Sequence, residues 1–144
     1  MRLVFVPPLT DAYFYLNQSK GLPSIPSAES LRRRYVASCI LLSWVAVEAA
    51  LSHRLTELQR DLPLSPQRSR GLSESLDLVV IRNRRRLNKE EFKRLRRIRN
   101  DIAHPKGDEK DTDVTVDQAS ETFRFCAGVI EDLYHPIRVM YSNL

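Results

Sequence analysis

"VASCILLSWVAVEAAL", residues 36–51, carries a single charged side chain, Glu48. Its apolar residues fall on every side of a helix, so the segment must be buried on more than one face. That predicts either the central helix of a bundle or a helix that also forms a subunit interface, with Trp44 as its anchor. The run is shorter than the ~20 residues a bilayer crossing needs and contains Glu48, so it reads as core and not as a membrane span.

Working outward, the periodicity predicts one long helix from Ser27 to about Arg60, stopped by "DLPLSP". A second helix is expected from Ser73 to about Arg82, followed by the all-basic "RNRRR". Asn88 with Glu91 has the spacing of a capping box, so another helix starts there. It should end near His104, because Pro105 pushes its predecessor out of the α region and cannot donate the next backbone bond. Thr115 with Gln118 repeats the capping signal, and Phe123, Cys126, Ile130 and Leu133 follow at helical spacing. That last helix should reach about Tyr141, with Pro136 as a kink. The fold class is therefore all-α, a four- to five-helix up-down bundle.

Two units are expected along the 144 residues: an irregular arm over 1–26, which holds four of the eight prolines, and a helical body over 27–144. The aromatics of "AYFYL" in the arm read as packing anchors. "MRLVFVPPL" is too short and too interrupted for a signal peptide, and Cys39 and Cys126 lie in apolar helical stretches as buried free thiols. Both features lead to the expectation of a cytoplasmic protein with no membrane partner.

The formal charge of +5 is unevenly spread. From Arg82 to Arg99 there are ten Lys and Arg against Glu90 and Glu91, a local +8 that leaves −3 for the rest. Such a stripe suits a polyanion, although a solvated face or a dock for an acidic partner has the same composition. On an ideal helix over 88–104, Phe92, Leu95, Ile98 and Ile102 form the packing stripe. Lys93, Arg97, Asn100 and His104 fall on nearly the opposite side, with Arg99 on the flank. One imidazole on a wet surface is weak machinery. A two-fold axis would bring two such ends into one cleft, so a homodimer is expected.

The motif "RNDIAH", with Arg99, Asn100 and His104, resembles the signature of the HEPN superfamily, four- to five-helix bundles in which the motif ends a helix before a polar loop and a final long helix. The resemblance covers Ser27 to Leu144. It implies metal-independent endoribonuclease activity in a homodimer, with neither metal nor other cofactor, acting as a bacterial toxin or antiviral defence component with RNA as partner and a protein antitoxin or regulator as another. Under it Arg99, Asn100 and His104 are catalytic. An imidazole, with a reference pKa near ~6.5, can exchange a proton with the 2′-hydroxyl or the leaving oxygen. The Arg99 fork can hold the phosphate as its charge grows, and Asn100 can orient histidine or phosphate. Glu48 needs a partner in its apolar run and is expected to support Arg99. Lys93, Arg96, Arg97 and Lys106 are the expected RNA contacts. Lys106 stands where one branch of the family carries a modified tyrosine, so regulation by that route is not expected. The alternative function is a noncatalytic module of the same family that binds RNA, a nucleotide or a partner protein. His53 and His135 have no motif context and read as structural.

Overall fold

The computed structural model describes residues 5–61, 88–104 and 114–133. Among them are four α-helices and no strand: α1 (Val6–Gly21), α2 (Glu29–Asp61), α3 (Lys89–Ala103) and α4 (Val116–Leu133). The all-α class holds. The helix expected over Ser73–Arg82, the basic run Arg82–Arg86, Lys106, His135 and the final stretch from Tyr134 lie outside the described residues.

α2 is the element on which the others pack, meeting α1, α3 and α4, while α1 also touches α4. Its buried residues Val36, Cys39, Ile40, Ser43, Trp44, Ala46, Val47, Ala50 and Leu51 fall, at ~100° per residue, within one broad face of the helix, which corrects the all-round burial expected of 36–51: on the opposite side Val45 is exposed and Leu41 and Ala49 are half-buried. By length and composition alone the helical stretch Pro26–Arg54 is long and apolar enough to cross a membrane, longer than the sequence run suggested; half of its most apolar part is buried inside the protein. Ser43 is buried at no unpaired cost, because its hydroxyl donates to the Cys39 carbonyl at 2.7 Å.

The N-terminal segment corrects the sequence reading. Residues 6–21 are not an irregular arm but the helix α1, and Phe5, Leu9, Ala12 and Leu16 are buried in the same core as Trp44. The two prolines do not break the helix, because Pro7 and Pro8 stand in its first turn. Backbone N–H groups there have no intrahelical acceptor to lose. Tyr13 and Tyr15 are packing aromatics, with ring centroids 5.7 Å from Phe123 and 5.8 Å from Tyr35, whereas Phe14 is exposed.

α2 also starts slightly later than expected. A 3-10 turn over Pro26–Ala28 precedes Glu29, and the Arg32 side chain donates to the Leu22 and Pro23 carbonyls, closing the turn between α1 and α2. At α3, Asn88 accepts from the Glu91 N–H at 3.1 Å. At α4, both halves of the capping box form: the Thr115 N–H donates to Gln118 Oε1 at 2.9 Å, and the Gln118 N–H donates to Thr115 Oγ1 at 3.1 Å.

Cys39 and Cys126 are free and buried. Burial pushes the Cys39 thiol up to about 12 and raises that of Cys126 as well, so neither forms the reactive thiolate near neutral pH. Alkylation by iodoacetamide at pH 8 should be slow in the native protein and become complete in urea. If α1 belongs to the core, Leu16→Ala costs about 2–5 kcal/mol in equilibrium urea unfolding. A change below about 0.5 kcal/mol would return residues 6–21 to the status of a surface appendage.

Candidate functional site

α3 presents its packing stripe to the core as expected. Phe92 and Leu95 are buried, and Ile98 and Ile102 pack against the same cluster. The helix ends at Ala103, and His104 is its exposed C-cap at φ −132°, ψ 71°, its N–H donating to the Asn100 carbonyl at 2.9 Å. The imidazole is therefore attached to the first residue that leaves the helix, and its place is set by where α3 stops.

The side chains facing away from the core line an open groove of about 600 Å³. Lys93, Arg96, Arg97, Asn100 and His104 belong to it, with Phe92 at its base and Asp101 as its one carboxylate among the described residues. Three cations against one anion make this a surface for phosphate more than for an acidic side chain of arbitrary shape. A second open groove, about 660 Å³, is lined by Lys20, Glu91, Asp117, Glu121 and Arg124 among others. There two cations stand with three carboxylates, and Arg94 beside it is paired with Glu121, so that surface carries no cationic excess.

Arg99 does not line the groove. Its Nη2 donates to Glu48 Oε1 at 3.0 Å, and its Nη1 donates to Asn100 Oδ1 at 2.9 Å. The expected contact between Glu48 of α2 and Arg99 of α3 is thus present. Arg99 in turn fixes which way the Asn100 amide points. With Oδ1 accepting from Arg99, the amide NH₂ is the donor that Asn100 has left for an anion or for His104. One chain of polar contacts runs from α2 to the groove: Glu48, Arg99, Asn100.

Of the expected site residues, Lys93, Arg96, Arg97, Asn100 and His104 meet in one groove, Arg99 and Glu48 stand behind Asn100, and Lys106 is outside the described residues. The sequence reading missed Asp101 and treated Phe92 as core alone. Asp101 follows Arg97 by four residues, a spacing that was available as a signal. No group of three or more His, Cys, Asp or Glu side chains among the described residues is close enough to hold a metal ion. Comparison with protein families, curated proteins and solved structures finds no match to this chain.

The Glu48–Arg99 pair is partly exposed, with side chains 41% and 26% accessible. Solvent screening limits its worth for stability to about 1 kcal/mol or less. Glu48→Gln should accordingly shift the urea midpoint only slightly. A loss of several kcal/mol would instead identify the pair as a structural clamp.

Proposed function

We propose that this chain is a metal-independent endoribonuclease related to the HEPN superfamily, working as a homodimer of up-down helical bundles. The reading is carried by Asn100, oriented by the Glu48-paired Arg99 and standing one turn before His104 in a cationic groove. The side of α2 opposite its buried face supports the dimer: Val45 is exposed and Leu41 and Ala49 are half-buried there, an apolar surface that a second copy would cover.

In the proposed reaction the 2′-hydroxyl oxygen attacks the adjacent phosphorus and the bond from phosphorus to the 5′-oxygen breaks. One His104 imidazole takes the 2′-hydroxyl proton. The His104 imidazolium of the partner subunit gives a proton to the departing 5′-oxygen. The products are a 2′,3′-cyclic phosphate and a 5′-hydroxyl. Arg99 and the Asn100 amide stabilise the charge that builds on the phosphate, and Lys93 and Arg97 hold the flanking backbone. Glu48 acts through Arg99 as a positioning residue. A toxin or defence setting in the cytoplasm, with a protein inhibitor as partner, completes the proposal.

One observation favours a noncatalytic RNA- or partner-binding module: the Arg99 guanidinium is engaged by Glu48 and stands outside the groove lining. The two readings separate in a cleavage assay in EDTA with mixed RNA substrates. Catalysis predicts cutting by the wild type, a fall of about 100- to 10,000-fold in His104→Ala, and unchanged dimerisation and RNA binding in that variant. Wild-type protein that binds RNA and never cuts it establishes the module. Light scattering that gives a monomer under conditions of full activity would eliminate the two-histidine mechanism.

A further inference from the structure

The groove on α3 consists of two adjacent rows. Lys93, Arg97 and Asp101 succeed one another at four-residue steps, and beside them run Phe92, Arg96, Asn100 and His104 at the same spacing. Each step advances ~6 Å along the axis. Lys93 and Arg97 are exposed, as phosphate contacts need to be, but Arg96 is half-buried. Its guanidinium carbon lies over the Phe92 ring, 5.9 Å from the centroid. That ring is itself held: Trp44 of α2 meets it edge-on at 5.6 Å and Phe125 of α4 lies at 6.4 Å, with Trp44 and Phe125 6.1 Å apart. Aromatic side chains from three helices thus fix the surface on which Arg96 rests.

A phosphate contact needs no such support, since a mobile ammonium supplies the same charge. A guanidinium within cation–π reach of a fixed ring is restrained by it, and its own plane suits a second π-system. We propose that Arg96 is the stacking platform for one unpaired nucleobase of a single-stranded RNA lying in the groove. The inference rests on the reading of this groove as an RNA site. Its content is a restriction on substrate class: duplex RNA offers phosphates to Lys93 and Arg97, but its base faces are covered by neighbouring pairs. Arg96 precedes His104 by two steps, ~12 Å, so the stacked base holds the strand a short way from the phosphate at the end of the helix.

The test measures binding of the full chain to three probes: a short single-stranded RNA, an abasic ribose-phosphate strand of equal length and charge, and the corresponding RNA duplex. Wild type should prefer the single strand over the abasic strand by about tenfold or more. Arg96→Lys keeps the charge and loses the plane, so it should abolish that preference while abasic binding stays within about twofold. Phe92→Leu keeps Arg96 and removes the ring beneath it. It should lose the preference in the same way, with a thermal melt verifying that it is folded; if it is not folded, Arg96→Lys decides alone. Equal binding of single and abasic strands by the wild type overturns the platform and leaves a phosphate-led RNA site standing. A preference that survives Arg96→Lys also overturns it. Failure to bind any probe overturns both the platform and the RNA reading beneath it.

Discussion

The structure depends on the burial of one broad face of α2. A buried face this broad is wider than one neighbouring helix covers, so α1, α3 and α4 all pack on it. Trp44 is where this demand is most concentrated: fully buried, in contact with Phe92 of α3 and Phe125 of α4. The geometry of α3 follows from this contact, and the geometry of the groove follows from α3. Once Phe92 is committed inward against Trp44, helical phase alone turns Lys93, Arg97, Asn100 and His104 outward.

Two kinds of force then divide the labour at the groove. Packing positions α3 as a body, at a free-energy scale of kcal/mol per side chain. The Glu48–Arg99–Asn100 chain contributes little to that total, because its members are half exposed and screened. Its effect is directional. It selects one orientation for an amide and one for a guanidinium beside the groove, and under the proposed reaction that matters for transition-state stabilisation far more than for folding.

Legibility in the sequence followed the range of the interaction. The caps at Asn88 and Thr115 and the stop before Pro105 depend on residues within a few positions of each other and could be read directly. Glu48 was readable for a different reason: a lone carboxylate in an apolar run must find a partner, and the basic helix supplies it. α1 was hidden by Pro7 and Pro8, which signal a break in a helix interior and the opposite in a first turn. The spacing of Phe5, Leu9, Ala12 and Leu16 held the correct answer. The seat of Arg96 on Phe92 was beyond local reading, because what immobilises the ring is contributed by α2 and α4. The four helices described are also not the four that the periodicity predicts: α1 was unforeseen, and the segment expected over 73–82 lies outside the described residues.

The helix cap at His104 has a consequence for how this sequence can change over time. Phe92 and His104 are tied by a whole number of four-residue steps along α3, from a buried anchor at one end to the exposed imidazole at the other. One codon gained or lost between them would rotate everything downstream by ~100° and carry the imidazole off the groove. Substitutions on the outer rows leave that phase intact, so a single exchange there alters one side chain, whereas a change of length displaces every residue beyond it.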